Sequence, residues 1–162
     1  MSNLKKYKMF INGEWVESES KKTFKSLNPE NNEPWTEVPE ASEKDVDKAV
    51  KAAQKAFEGK WPKLFPRERG KYLKAIAEQL RANAELLGKI ETIDTGKLFK
   101  ETKTQANYIA EYYDYYAGLA DKVEGTVLPI DKTNMQVITT RVPIGVVAAI
   151  IPWNSQMLLT AV

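Results

Sequence analysis

The sequence predicts an α/β fold, on three observations. Strand-and-turn patterns occupy the stretch up to Val38, amphipathic helix patterns run from Ser42 to about Lys122, and β-branched extended patterns lead into the run Gly145-Val-Val-Ala-Ala-Ile-Ile151. That run is apolar throughout, which suits a central parallel strand covered on both faces. Hydrophobic residues make up 43% and charged residues 28% of the 162, ordinary values that rule out global disorder.

Tyr7 to Val16 reads as a hairpin around Asn12-Gly13, the dipeptide that accepts the positive φ angles of a type I′ turn. A second extended pair, Thr23–Leu27 and Trp35–Val38, is joined by the turn-rich Asn28-Pro29-Glu30-Asn31-Asn32-Glu33-Pro34. Ser42 with Asp45 three residues on is a helix-start signature. The first helix then places Val46, Ala49, Val50, Ala53, Ala56 and Phe57 on one face and ends at Gly59, with Trp61-Pro62 as a loop. Pro66 opens a second helix with the stripe Leu73, Ile76, Ala77 and Leu80. A third, near Ala84 to Ile93, closes at Asp94-Thr-Gly-Lys97, where Gly96 suits a left-handed cap.

The fourth helix, about Phe99 to Lys122, carries the stripe Ala106, Ile109, Tyr113, Tyr116 and Ala120. Beside it run Tyr108, Tyr112, Tyr115 and Leu119, so the pattern predicts a helix covered on most of its circumference. Beyond Gly125, Val127–Ile130 and Met135–Val142 read as extended.

Charge and composition exclude several functions. The net charge is +2, which gives no electrostatic case for nucleic acid or an anionic membrane. There is no Cys and no His, so no thiol nucleophile, His base, disulfide or Cys/His zinc site can be built from these residues. The uncharged stretch after Arg141 is broken by Pro143, Gly145, Pro152 and Asn154, and its continuous apolar part falls short of the roughly 20 residues a membrane-spanning helix needs. No signal-peptide pattern opens the chain, which favours the cytoplasm. The five tyrosines from Tyr108 to Tyr116 read as core and interface aromatics rather than a stacking platform.

The candidate chemistry lies at the end of the apolar run, in Pro152-Trp153-Asn154. Open α/β sheets bind ligands at the carboxyl ends of their strands. Trp153 offers a broad apolar wall, and the Asn154 amide can donate to a developing oxyanion. The alternative is an asparagine that merely satisfies a turn.

Pro143-Ile-Gly-Val-Val-Ala-Ala-Ile-Ile-Pro-Trp-Asn154 resembles the Pro-Trp-Asn strand of the NAD(P)-dependent aldehyde dehydrogenase superfamily. Phe10-Ile-Asn-Gly-Glu-Trp15, Leu27-Asn-Pro29, Asp45 to Phe57, Asp94-Thr-Gly-Lys97 and Tyr115-Tyr-Ala-Gly118 resemble further segments of that family, in the same order. The resemblance implies the N-terminal helical and β-arm part of a coenzyme-binding domain over residues 1–124, oligomerisation strands over 125–143, and the first strand of the parallel dinucleotide-binding sheet within 144–162. The lesser alternative for the 125–143 stretch is an ordinary surface hairpin.

The activity implied is oxidation of an aldehyde to a carboxylic acid with NAD or NADP, through a thiohemiacetal on a cysteine. By resemblance Asn154 is the oxyanion donor, and Ile151, Pro152, Trp153 and Asn154 line the nicotinamide and its ribose. The resemblance also implies a homodimer or homotetramer and, more weakly, a monovalent cation (Na⁺ or K⁺) at Ser26, Leu27 and Asp94; an Asp at such a turn is otherwise simply solvated or hydrogen-bonded. The family's nucleophilic cysteine and general-base glutamate have no counterpart here, so the chain reads as a truncated enzyme. The other reading is a non-catalytic interaction or assembly module derived from that family. Ser155-Gln156 departs from the bulky aromatic and proline that often follow Pro-Trp-Asn.

Overall fold

The computed structural model describes residues 4–162. The hairpin forms as its turn chemistry dictates: β1 (Lys5–Lys6) precedes it, and β2 (Met9–Ile11) pairs antiparallel with β3 (Glu14–Val16). Asn12 and Gly13 take φ of 55° and 84°, the positive values a type I′ turn requires. β4 (Thr23–Asn28) and β5 (Glu33–Pro39) form the second antiparallel pair. β1 adds to β5 in parallel, giving a three-stranded sheet in the order β1-β5-β4. Two lysines carry no strand signal; the buried Thr36 hydroxyl holds β1 in place by donating to the Lys5 carbonyl at 2.7 Å.

Four helices follow: α1 (Glu43–Glu58), α2 (Pro66–Ala82), α3 (Ala84–Thr95) and α4 (Phe99–Leu119), with a 3-10 turn at Trp61–Lys63. Ser42 and Asp45 form the reciprocal capping box at the start of α1. Pro66 sits at the first position of α2, and Gly96 caps α3 with φ 76°. The core is the pair of crossings that α2 and α3 make with α4, built from Ala77, Ala84, Ala106, Ile109 and Ala110. Small residues let the backbones approach closely. A methyl group on Gly88 would stand 2.8 Å from the Lys103 backbone nitrogen. Beside it the buried Thr102 hydroxyl lies 2.9 Å from the Gly88 carbonyl and 2.9 Å from Thr92 Oγ1, joining α3 to α4.

Several expected burials are absent. The α1 stripe stays largely in solvent, with Val46, Val50, Ala53 and Ala56 exposed, because among the described residues no other long helix packs against it; α1 meets the 3-10 turn, β2 and the loop after β3. The tyrosines of α4 are not core residues either: Tyr108, Tyr115 and Tyr116 are exposed and stack on neighbours of their own helix. In the 125–143 stretch only Val127–Leu128 (β6) and Val137–Ile138 (β7) pair, antiparallel.

The run 145–151 takes no strand hydrogen bonds from the described residues, and its flanks and interior stand out in water, Ile144 at 93% and Ile150 at 94% exposed. Its composition is that of a central strand, but a strand exists only beside a partner ladder, and none of the described residues supplies one. After the turn at Trp153–Asn154 the chain closes with a short helix, α5 (Gln156–Ala161), packed on α4. No helix among the described residues is long and apolar enough to cross a membrane.

Candidate functional site

The site is assembled where α3 ends. Asp94 lies in the last turn of α3, and three donors from three separate elements converge on its carboxylate. Ser26 of β4 donates to Oδ1 at 2.5 Å, the Trp35 indole of β5 donates to the same oxygen at 3.1 Å, and Gln156 Nε2 of α5 donates to Oδ2 at 3.0 Å. A break in the β4–β5 register makes this convergence possible. Ser26 pairs with Thr36 but Leu27 pairs with Pro34, so Trp35 is an extra residue on β5. Pro34 has no N–H to give the ladder, and a bulge beside it re-aims a side chain.

Lys97, just past the Gly96 cap, works the other side. Its ammonium donates to Ser155 Oγ, which also accepts from Gln105 Nε2 at 3.3 Å, and lies 3.8 Å from Glu91 Oε1. Ser155 is buried, as is Glu91. Burial pushes the Glu91 carboxyl above the usual range; the Lys97 charge opposes that, and the nearby Asp94 carboxylate reinforces it. Among the described residues neither Glu91 oxygen has a hydrogen-bond donor, and Gln156 Oε1 is likewise buried without a partner. These groups face a cleft of about 310 Å³ between α3 and α5, lined also by Leu87, Ile90, Met157 and Thr160.

The sequence-predicted residues divide into two groups. Ser26 and Asp94 are in direct contact, with Leu27 next along β4. No cationic side chain pairs with Asp94 among the described residues: its three donors are neutral, and they leave one of the roughly four acceptor positions of a carboxylate open. The Asp94 carboxylate and the Ser26 hydroxyl are hard oxygen groups of the kind a monovalent cation takes. No group of three or more His, Cys, Asp or Glu able to hold a metal ion occurs among the described residues.

Ile151, Pro152, Trp153 and Asn154 lie together at the surface, just before the anchored Ser155. The Asn154 side chain is exposed and makes no hydrogen bond among the described residues, so it is not committed to a turn. Trp153 is 82% exposed, an open face on which a flat ring can lie. The Asn154 amide is therefore free to donate to a ligand oxygen beside that face. The sequence reading missed the roles of Glu91, Lys97, Gln105, Ser155, Gln156 and Trp35. The signals were Lys97 after the helix-capping Gly96 and the unusual Ser155-Gln156.

Comparison with known proteins gives a consistent result. The sequence pattern of the aldehyde dehydrogenase family matches residues 15–162. A (Z)-2-((N-methylformamido)methylene)-5-hydroxybutyrolactone dehydrogenase of Acinetobacter baylyi is 46% identical over 160 residues, 98% of this chain and 32% of that protein. A betaine aldehyde dehydrogenase of Bacillus subtilis is 41% identical over 153 residues, 93% of this chain and 31% of its own length. Among solved structures, an aldehyde dehydrogenase from Bacillus cereus superposes with a TM-score of 0.91 at 36% identity, over 97% of this chain and 32% of that one. A betaine aldehyde dehydrogenase double mutant from Staphylococcus aureus, in complex with NAD⁺, gives 0.89 at 36% identity, over 99% and 32%. The chain thus spans about a third of the length of the relatives it matches.

Proposed function

This chain belongs to the aldehyde dehydrogenase family, and we propose that it forms the N-terminal part of an enzyme that oxidises an aldehyde to a carboxylic acid with NAD or NADP. The observation that carries the site assignment is the uncommitted Asn154 amide, displayed beside Trp153 and anchored from Ser155 onward. In this reading Asn154 Nδ2 donates to the aldehyde oxygen as a thiolate adds to the carbonyl carbon. The donor strengthens as the oxygen gains charge, so it lowers the barrier rather than tightening substrate binding. The thiolate must come from polypeptide other than these 162 residues, which contain no Cys. A bound NAD or NADP would supply the hydride acceptor. Ile151, Pro152 and Trp153 would offer it backbone groups and a flat apolar wall.

The same reading assigns residues 1–124 and 144–162 to the coenzyme-binding domain and 125–143 to pairing between subunits of a homodimer or homotetramer. The exposed Val127, Leu128 and Ile138 of β6 and β7 support that pairing role. A Na⁺ or K⁺ ion held by Ser26, Leu27 and Asp94 would brace β4 against α3; no chemical step passes through it.

The test is Asn154→Ala in the complete protein that carries this segment. The expected result is a kcat lower by ~10²–10³ with little change in the aldehyde KM. An unchanged kcat would return Asn154 to the turn residues. Aldehyde-dependent NAD(P)H production by the isolated 162-residue chain, above a mock preparation, would overturn the division of labour; a complete protein with no oxidation of any aldehyde would favour an assembly role.

A further inference from the structure

Asn154 has a support problem. Its own side chain makes no hydrogen bond among the described residues, and residues 141–152 before it carry no regular secondary structure. An oxyanion donor that can swing freely contributes little, since misplacement by about 1 Å can cost ~10²-fold in rate. Among the described residues, the only anchors on this turn lie on its C-terminal side, at Ser155 and Gln156.

We infer that Ser155 and Gln156 are positioning residues that fix the direction of the Asn154 amide by locking the following peptide to the corner of α3 and α4. This rests on the reading of Asn154 as oxyanion donor. Three features of the corner carry the inference. First, both anchors are charge-assisted: Lys97 donates to Ser155 Oγ, and Gln156 Nε2 donates to the Asp94 carboxylate at 3.0 Å, a class of bond roughly twice as strong as its neutral counterpart. Second, the anchors do not themselves drift. Asp94 is gripped by Ser26 and Trp35 from two different strands, and Lys97 also lies against buried Glu91. Third, Gln156 is not interchangeable with an apolar or acidic residue. Its Nε2 must face Asp94, because turning Oε1 toward the carboxylate would set two acceptors against each other. Its Oε1 is left buried and, among the described residues, unpartnered, the cost of that orientation. The 62-residue separation of Gln156 and Asp94 makes this a tertiary device.

The experiment is a double-mutant cycle in the complete protein, combining Gln156→Met with Asn154→Ala. Methionine keeps length and volume but removes the donor to Asp94. Gln156→Met should lower kcat by ~10-fold or more, with the aldehyde KM shifted less than about twofold. In the Asn154→Ala background it should lower kcat by less than about twofold, because the group it positions is gone. Ser155→Ala, which keeps the backbone and removes the acceptor of Lys97, should behave alike.

Hydrogen exchange supplies a readout apart from activity: peptides covering 153–162 should exchange faster in Gln156→Met while those covering 99–119 do not change. Equal kcat losses in both backgrounds would show a general structural effect and overturn the positioning role, as would no loss in the wild-type background. If Asn154→Ala is itself silent, the oxyanion reading fails first and the positioning role with it. If Asn154→Ala is severe and Gln156→Met harmless, only the positioning role fails.

Discussion

Ser18 Oγ donates to Asp45 Oδ2 at 2.9 Å and so ties the loop after β3 to the first turn of α1. The same carboxylate accepts from the Ser42 N–H at 2.8 Å, the Ser42 hydroxyl at 2.7 Å and the Glu19 N–H at 3.2 Å. The Ser42 donors above all, helped by Ser18 and the Glu19 N–H, hold the Asp45 carboxyl well below the usual carboxylate range against the opposing effect of desolvation.

A carboxylate with a depressed folded-state pKa contributes stability above its unfolded pKa, near 4, and loses that contribution as the pH falls toward the folded value. Urea melts of the 162-residue chain should therefore show a stability loss below about pH 4 that is smaller in Asp45→Asn than in the parent. Equal acid slopes in the two proteins would remove Asp45 as its source. At neutral pH, Ser42→Ala should cost about 0.5–2 kcal/mol, as loss of a helix N-cap does.

Glu91 should give the opposite slope. Its folded pKa is raised by burial, so the protonated form suits the fold. Its contribution is fully present below the unfolded glutamate pKa, near 4.3, and is lost as the pH rises through the higher folded value. Glu91→Gln should flatten the stability profile across that window and match or exceed the parent at pH 7–8. Lys97 is half-exposed and can turn to water when its partner is neutral. A variant that is less stable than the parent at pH 8 would mean that the ion pair outweighs desolvation.

What was legible in the sequence depended on range. Asn12-Gly13, the Ser42–Asp45 box, Pro66 and Gly96 act within a few residues, and each formed where its local chemistry required. Family motifs led correctly to the α/β fold seen in the superposed dehydrogenases. The convergence of Ser26, Trp35 and Gln156 on Asp94 was not legible, because it depends on a bulge in β5 and on how α5 docks. Apolar periodicity also misled on burial. It states which face a helix or strand would bury, not whether a partner is present, and the exposed faces of α1 and α4 and the run 145–151 are the result.

Gly88 and Gly118 form a matched pair that geometry separates. Both sit inside helices, where replacing Gly by Ala gains up to about 1 kcal/mol of helix propensity. At Gly118 an added methyl meets nothing within 4 Å, so Gly118→Ala should stabilise the chain by up to that amount. At Gly88 it would lie 2.8 Å from the Lys103 nitrogen and 2.9 Å from its Cα, backbone atoms that cannot turn aside. Gly88→Ala should therefore cost about 1–3 kcal/mol net by forcing α3 off α4, as overpacking does. Chemical denaturation with matched m-values decides the signs, and a stabilised Gly88→Ala would disprove the close crossing.

The uncovered apolar run should drive association of the isolated chain. Val142, Ile144, Val147 and Ile150 all stand mostly in solvent, and each would gain about 1.5–3 kcal/mol if fully buried. The backbone of 145–151 carries no ladder hydrogen bonds, so its N–H and C=O groups are available to any strand that arrives. Apolar side chains on both sides of an unpaired backbone form a template for association. The isolated chain should therefore bind a hydrophobic dye and sediment as concentration-dependent oligomers. Dye can also reach the exposed faces of α1 and α4, so the assignment needs a variant. Val147→Lys with Ile150→Lys places charges on the run without touching the helices. It should reduce both dye binding and association while leaving the helical melting transition unchanged, since the core at Ala77, Ala106, Ile109 and Ala110 lies elsewhere. A parent chain that sediments as one monomeric species and binds no dye would show that residues 142–151 find cover within the chain, and the account of their exposure would be wrong.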